Sequence, residues 1–331
     1  RRDNAVQPLY VHRYLPSSLK SLSFSTPRNS STVLYACGTR ELVTAFELEV
    51  VAVDEGDEPS VEVRVLERGT LLADAEGGEV RTMDIALVES DKECYVVAGY
   101  SNGKLRVWRH TREGKFEPFG ETQGLGKCVL SVETAKLTVD DRETLVVVSG
   151  QSDGRLSLRD LTSLFDSESR ALPLPDAFSV MSPHQSGING RSVSVRESTI
   201  LVATGGDDNA VAVERLELEY VDGRLVVATS SSSILANAHA STIQGLDFLS
   251  PTLLASSSVE QRVNLYSVET VSSDPTIELV ESACLDVADC SAQDAIRFED
   301  DGPGGRERWK LIIAGIGIEV VSVAGSGRVD P

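Results

Sequence analysis

Histidine, serine and acidic side chains are the groups in this chain that could carry acid–base or nucleophilic chemistry. The sequence has four histidines, and two of them, His184 and His239, stand in closely similar surroundings. After each, serine follows at the second position, isoleucine at the fourth, an amide side chain at the fifth and glycine at the sixth. A catalytic triad needs a nucleophile, a base and an acid that orients the base, and the spacing of the histidines indicates no such set. The repeated surroundings favour a structural histidine that is hydrogen-bonded within a repeating unit.

Acidic residues occupy short turns between strand-like segments, as Asp153 does in Gly-Gln-Ser-Asp-Gly. Aspartate in a turn usually bonds to its own backbone. The alternative interpretation is a polar rim that a partner recognises. On that interpretation the partner-binding residues are His184, Asn189, Asp207, Asp208, His239, Gln261 and Arg262.

Metal, cofactor and redox chemistry find little support in the sequence. Gly205 and Gly206 lead into a strand-like segment, whereas a phosphate loop must lead into a helix. No carboxylate–histidine cluster has metal-ligand spacing, and no CxxC pair occurs. We therefore expect no catalytic residue, no cofactor and no metal. The five cysteines are widely spaced, so we expect free thiols, with a Cys284–Cys290 pair as the alternative.

The charge balance is strongly acidic. Lys and Arg number 31 against 51 Asp and Glu, which gives a formal net charge of −20. Such a surface repels phosphate backbones, so RNA contacts are expected mainly through a partner or an upstream segment. The alternative is a local basic patch formed by Arg106, Arg109, Arg112 and Lys115. The apolar runs have strand length, which predicts a cytoplasmic protein without membrane insertion. Because the chain starts without methionine, we expect a processed chain or a fragment.

The two histidine units begin a repeat of roughly fifty residues made only of strands, and such a repeat is typical of a β-propeller. Six repeats are recognisable, the first with strands near 19–25, 32–37, 41–48 and 61–66. We therefore predict an all-β fold, a single domain over 1–331 with six four-stranded blades. Residues 7–15 are predicted to close the last blade, whose own strands are expected at 284–290, 309–314 and 318–323.

Residues 161–183 interrupt the regular repeat of strands. They are rich in Ser, Asp and Pro, and they predict an outer strand or an insertion, with a short helical turn at 163–166. A seventh blade in this segment, or outside the chain, is the alternative. His12 and His110 are predicted to be surface strand residues. Trp108 and Tyr266 are predicted to pack in the core.

Several strings are more specific than a generic repeat, namely residues 187–189, 201–208, 245–251, 255–263, 286–289 and 314–320. They resemble one family of repeat proteins, the WD repeat-containing protein 6 family, and in particular its C-terminal propeller. The likeness covers about residues 81–323 and is strongest after Pro183. Three departures keep the turn chemistry: Glu260 replaces an aspartate, Tyr266 replaces a tryptophan, and Asp208-Asn209 replaces Asp-Gly.

The resemblance implies a non-catalytic subunit, the C-terminal part of a longer protein with several propellers. Members of this family bind the methyltransferase that modifies the ribose 2′-OH of the tRNA wobble nucleotide, and they help to present the anticodon loop. The alternative is a general protein-interaction scaffold, for example in endosomal recycling, without an RNA role. A propeller hydrolase is a third reading, disfavoured by the shortage of histidine.

Overall fold

All regular elements in the described part of the chain are β-strands. The computed structural model describes residues 19–27, 31–38, 43–53, 60–71, 80–90, 93–124, 126–162, 172–270, 274–299, 307–325 and 328–329. The strands form six sheets, and the fold is a six-bladed β-propeller. The predicted all-β class and six blades are confirmed. The closing strand at 7–15 and the helical turn at 163–166 lie outside the described residues.

The chain divides into two compact units, the first being residues 1–134 with 167–175. It contains blade 1, in the order β1-β2-β3-β4, and blade 2, in the order β12-β8-β7-β6-β5. Their strands are β1 Ser21–Phe24, β2 Ser31–Cys37, β3 Val43–Val53, β4 Ser60–Leu71, β5 Thr82–Glu89, β6 Cys94–Tyr100, β7 Leu105–His110, β8 Phe116–Glu121 and β12 Leu172–Pro173.

The second unit comprises residues 135–166 and 176–331. Blade 3 has the order β13-β11-β10-β9, and β9 runs across the boundary of the units; blades 4, 5 and 6 follow in chain order. The strands are β9 Val129–Val139, β10 Arg142–Gln151, β11 Leu156–Asp160, β13 Ser179–Met181, β14 Ile188–Arg196, β15 Thr199–Gly206, β16 Val211–Val221, β17 Arg224–Leu235, β18 Ile243–Ser250, β19 Leu253–Ser258, β20 Arg262–Glu269, β21 Thr276–Cys284, β22 Ala288–Glu299, β23 Glu307–Ala324 and β24 Arg328–Val329.

Burial follows the position of a strand within its blade. The second strands, such as β15 and β19, are almost continuously buried, because neighbouring blades cover both of their faces. Apolar clusters fill the spaces between consecutive blades of the second unit. One joins blades 3 and 4 through Leu156, Leu158 and Leu216, and another joins blades 4 and 5 through Val213 and Tyr266.

Blade 6 contains a reversal of the chain within β23. Eighteen residues in one straight strand would span about 55 Å. Yet the N–H of Gly325, just beyond the strand, donates to the carbonyl of Glu307 at its start, at 2.9 Å. The strand therefore folds back near Gly317, whose φ of +121° lies in the range that glycine tolerates. The two predicted strands at 309–314 and 318–323 are the two arms. The predicted inner strand at 284–290 is wrong, because Cys284 ends β21 and β22 begins only at Ala288.

Residues 161–183 supply strands to two different blades. Leu172–Pro173 adds a parallel fifth strand to β8 of blade 2, and Ser179–Met181 forms the short outer strand of blade 3. The segment thus contains both the insertion and the outer strand that were predicted as alternatives. All five cysteines are free thiols, as expected, and burial raises the pKa of Cys37.

His110 differs from its predicted place as a surface residue. Its Nδ1 lies 2.8 Å from the hydroxyl of Tyr35, and its Nε2 lies 3.3 Å from the carbonyl oxygen of Arg68. The ring also stacks on Phe116 at 4.6 Å between centroids. These contacts join blade 1 to blade 2, and burial lowers the pKa of His110. A strand-end histidine looks exposed in sequence because its partners come from a distant strand.

Candidate partner-binding site

His184 is the centre of a hydrogen-bonded network at one end of blade 4. Its Nδ1 lies 2.8 Å from Oδ1 of Asp208, and its Nε2 lies 2.9 Å from the hydroxyl of Thr204. The backbone N–H of Gln185 donates to the other carboxylate oxygen of Asp208 at 2.9 Å. The side chain of His184 is fully buried. The network ties the loop before β14 to the turn between β15 and β16.

The two aspartates of this turn face different environments. Burial opposes ionisation of Asp208, but hydrogen bonds from Gln185 and His184 outweigh it and lower its pKa. Asp207 is exposed, and its Oδ1 accepts a 2.7 Å hydrogen bond from the amide of Asn189. Asp208 therefore stabilises the loop, whereas Asp207 and Asn189 form a polar pair at the surface.

His239 repeats the network in blade 5. Its Nδ1 lies 2.7 Å from Oε1 of Glu260, whose other oxygen accepts the N–H of Ala240 at 2.9 Å. Its Nε2 lies 2.6 Å from the hydroxyl of Ser256, which in turn lies 3.2 Å from the hydroxyl of Tyr266. Burial lowers the pKa of His239, although Glu260 opposes this effect. Glutamate thus replaces aspartate in this turn without loss of either hydrogen bond.

The last residue of the second strand adapts to the presence of the histidine. In blade 4 it is Gly206, where a Cβ atom would come within 3.2 Å of Nδ1 of His184 and 2.7 Å of the Gly187 carbonyl oxygen. Blades 2 and 3 end this strand with the larger Tyr100 and Gln151. Gln151 donates to its own blade at 3.1 Å, and Tyr100 accepts from Trp108 at 3.1 Å. The two blades with the histidine therefore end their second strand with a small residue, whereas blades 2 and 3, which lack the histidine, end it with a large one.

The predicted partner-binding residues fall into two groups. His184, His239 and Asp208 are committed to the internal networks, and the two histidine side chains are fully buried. The other four residues are exposed or half-exposed and lie near the same turns, and we call them the surface group. Arg262 is exposed and donates to the hydroxyl of Ser282 at 3.0 Å. The surface group is Asn189, Asp207, Gln261 and Arg262.

Sequence reasoning did not identify Thr204 and Ser256 as members of the networks, whereas it placed Glu260 at the position of the turn aspartate. The signal that identifies Thr204 and Ser256 is register: each lies at the same distance from the end of the second strand. Both Asn209 and Gln261 follow the acidic residue of their turn with positive φ, at 65° and 64°. Glycine occupies this position in blades 2 and 3, as Gly103 and Gly154.

Two of the four basic residues in the patch considered at residues 106–115 are paired with carboxylates. Arg106 donates to Glu121 at 3.1 Å, and Arg109 donates to Glu117 at 2.5 Å and pairs with Glu93 at 3.2 Å. These carboxylates come from adjacent strand segments that are not consecutive with the arginines, so a count of basic residues along the chain overlooks them.

Within the described ranges, no group of three His, Cys, Asp or Glu residues is arranged to hold a metal ion. The same part of the chain has no helix long and apolar enough to cross a membrane.

Fold comparison and the histidine networks together define a WD-repeat β-propeller. A chain of a humanized mutant of the Chaetomium thermophilum Polycomb Repressive Complex 2 matches 93% of this chain, with 67% of its own length, a TM-score of 0.60 and 13% identity. A chain of the Chaetomium thermophilum Polycomb Repressive Complex 2 bound to GSK126 matches 96% of this chain, with 71% of its own length, a TM-score of 0.60 and 12% identity. At these identities the likeness concerns the fold.

Sequence comparison confirms the resemblance to the WD repeat-containing protein 6 family. The tRNA (34-2′-O)-methyltransferase regulator WDR6 of Pongo abelii is 30% identical over 213 residues, which are 57% of this chain. The Homo sapiens protein of the same name is 29% identical over 57% of the chain, and that of Bos taurus is 30% identical over 65%. The matches span 19%, 19% and 21% of the relatives, so this chain covers about a fifth of their length. No protein-family model matches the sequence.

Proposed function

We propose that this protein is a non-catalytic regulatory subunit that binds a tRNA 2′-O-methyltransferase and supports ribose methylation of the anticodon wobble nucleotide. The observation that carries the proposal is the relationship to proteins named as regulators of that methyltransferase, at about 30% identity over 57–65% of the chain. We propose the cytoplasm as its location, and a single propeller over residues 1–331 as one part of a longer protein.

The geometry of the histidine networks supports a scaffold. A general base must have a lone pair within reach of a substrate proton. Both ring nitrogens of His184 and of His239 are already bonded inside their blades, and both side chains are fully buried. These histidines hold loops in place, which suits a surface that positions another protein.

The charge of the chain favours a basic protein partner over direct contact with tRNA. A net charge of −20 lacks the cation contribution that dominates nucleic-acid affinity, and it attracts a positively charged enzyme. We propose that tRNA is contacted mainly through the methyltransferase or through other segments of the protein. The surface group Asn189, Asp207, Gln261 and Arg262 is the proposed contact on blades 4 and 5.

The proposal is tested in the full-length protein, in cells where the native gene is replaced. Co-purification with a methyltransferase is expected, and deletion is expected to abolish 2′-O-methylation at the wobble ribose. Unchanged wobble methylation in the deletion strain would reject the regulatory role. Partners without any methyltransferase would instead favour a general interaction scaffold.

The surface group is tested by charge reversal. Arg262→Glu should weaken capture of the methyltransferase without lowering the thermal stability of the protein, because Arg262 is exposed. Arg224→Glu is the matched control, since Arg224 is also exposed but begins β17 at the opposite end of blade 4 from the Asp207 turn. Equal capture by wild type and the Arg262 variant would remove this surface from the proposal.

A further inference from the structure

Glu214 occupies a place in blade 4 that aromatic side chains fill in two other blades. In each blade this residue lies on the third strand, opposite the residue four positions before the end of the second strand. Blade 5 has Tyr266 there, and blade 2 has Trp108. Tyr266 is fully buried and completes the hydrogen-bonded series that begins at His239. Blade 3 has Arg159 at this place, so among blades 2 to 5 only blade 4 puts a carboxylate there.

Most of the Glu214 residue is buried, yet its carboxylate has no partner among the described residues. Glu214 is only 6% exposed, and no described residue gives it a hydrogen bond or an ion pair. Thr204, which continues the series from His184, bonds to the histidine and not to Glu214. Burial alone raises the pKa of Glu214 to about 7. The carboxylate oxygens are not sealed from solvent, so a ligand can reach them, and a bound cation would offset the cost of keeping the charge in this largely buried position.

The side chain points towards blade 3. Glu214 lies on the same face of β16 as Leu216, which packs with Leu156 and Leu158 of blade 3. The outer strand of blade 3, β13, has only three residues, whereas β17 has twelve. Among the described residues of blade 3, Phe178 and Met181 pack against the apolar part of this face.

An approach to Glu214 runs across the outer strand of its own blade. Ser232 of β17 lies directly opposite Glu214 and is exposed. Ser230 and Ile234 lie on the same face as Ser232 and are also exposed, Ile234 at 52%. Between Arg224 and the end of β17 at Leu235 there is no charged residue. The β17 side of the carboxylate is thus uncharged, with one apolar side chain, whereas Asp160 of blade 3 lies on the side of β11 that faces blade 4.

We propose that Glu214 is the floor of a docking site for a lysine or arginine side chain, presented by an extended segment of a protein partner. The cation would pair with the carboxylate, and the segment would lie across Ser232 and Ile234. Charge complementarity selects this occupant, because a chain of net charge −20 attracts basic segments and repels a second copy of itself. The site does not require that the partner be a methyltransferase, so its failure in the experiment below would leave the proposed function unaffected.

The test uses the full chain and a twelve-residue peptide of alternating lysine and serine, with a glutamine–serine peptide as the uncharged comparison. Isothermal titration calorimetry at pH 7 should show binding of the lysine peptide alone. Glu214→Gln should weaken that binding by about tenfold or more, because it removes one partner of a buried charge pair. Glu219→Gln is the matched control, since Glu219 is exposed on the same strand, and it should change the affinity by less than about twofold.

A second readout separates the site from surface attraction. A cation beside Glu214 favours the ionised carboxylate, so binding at pH 7 should release up to about half a proton in wild type and none in Glu214→Gln. Titrations in buffers of different ionisation enthalpy measure this release. Equal weakening by the two variants, absence of proton release, or failure of the lysine peptide to bind would overturn the site. Equally tight binding of free lysine amide would assign it to a small cation and overturn the peptide docking.

Discussion

The imidazole of His184 and the carboxylate of Asp208 lie 2.8 Å apart across twenty-four positions of sequence, and they fasten the entry loop of blade 4 to its second turn. The carboxylate also accepts the N–H of Gln185 and, at 3.3 Å, that of Ala210. One acidic side chain therefore satisfies donors from two loops. This pairing holds the two loops in place, and it occupies the groups of both residues that acid–base catalysis would need.

Replacing Asp208 should destabilise the protein more than replacing its neighbour. Asp208→Ala leaves the buried Nδ1 of His184 without its partner, and an unsatisfied buried group costs about 1–3 kcal/mol; the N–H of Gln185, which is exposed, loses its acceptor to water at a smaller cost. Asp207→Ala removes one exposed hydrogen bond to Asn189 and should cost less than about 1 kcal/mol. Chemical denaturation of both variants measures the difference. Similar losses for the two variants would contradict the assigned roles.

The Asp208 network should also weaken in acid. The pKa of Asp208 is lower in the folded protein than its usual 3.8, so its contribution is present above that value and is lost as the pH falls through the folded pKa. The stability difference between wild type and Asp208→Asn should therefore shrink as the pH falls below about 4. Denaturation curves recorded from pH 6 to pH 3 provide the measurement. A difference that stays constant over this range would show that ionisation of Asp208 is not coupled to folding.

Glu214 should give the opposite pH dependence. Its pKa rises from 4.5 to about 7 on folding, so the folded state favours the protonated form. Asp160 lies on the same side of β11 as Leu158, facing blade 4, yet burial alone accounts for the shift. The contribution of protonated Glu214 to stability should be fully present below pH 4.5 and should be lost as the pH rises through 7. The free energy of unfolding should fall by at most about 3 kcal/mol over this range.

Glu214→Gln isolates this contribution. The variant should be more stable than wild type at pH 8 and should differ little from it at pH 4.5, because glutamine keeps the shape and never ionises. Thermal unfolding at the two pH values is sufficient to compare them. A variant that is less stable at pH 8 would show that the carboxylate has a partner beyond the described residues.

His110 should make the junction of blades 1 and 2 sensitive to mild acid. Burial lowers its pKa, so the unfolded chain takes up a proton at higher pH than the folded protein does. The stabilisation is complete above about pH 6.5 and is lost as the pH falls below it. His110→Phe keeps an aromatic ring and removes the titration. The stability of wild type relative to this variant should decrease between pH 7.5 and pH 5.5, and an unchanged relative stability would contradict the inference.

Repeat spacing and alternation were enough to predict the blades, because each strand carries its own pattern of buried and exposed residues. The paired units at His184 and His239 predicted two equivalent networks, and their geometry is nearly the same. Turn chemistry also indicated the turn at Asp153 and Gly154, where Gly154 has a positive φ of 81°. These features depend on residues that are close in sequence, where spacing fixes the contact.

Contacts between blades could not be predicted in the same way. His110 meets Tyr35 seventy-five positions away, and Glu214 faces blade 3 because of the pairing register of β16. A glutamate within a run of alternating apolar residues is expected to face solvent, and only the register reveals that blades 2 and 5 have an aromatic side chain at the same position. The extra strand of blade 2 depends likewise on packing that no local pattern encodes.

Gly154 links the turn of blade 3 to the loop that carries His184. Its φ is +81°, and a Cβ atom there would lie 2.1 Å from the carbonyl oxygen of His184. Gly154→Ala therefore meets two penalties: about 1–2 kcal/mol for an L-residue in the left-handed region, and displacement of the His184 backbone. Gly223→Ala is the matched control, since Gly223 has φ of +76° but nothing within 4 Å of the added atom. Gly154→Ala should lower the free energy of unfolding by more than the control does, and hydrogen exchange should quicken at the N–H of Gln185. Equal losses in the two variants would mean that backbone conformation alone decides the cost, and that the loop of His184 does not depend on its contact with blade 3.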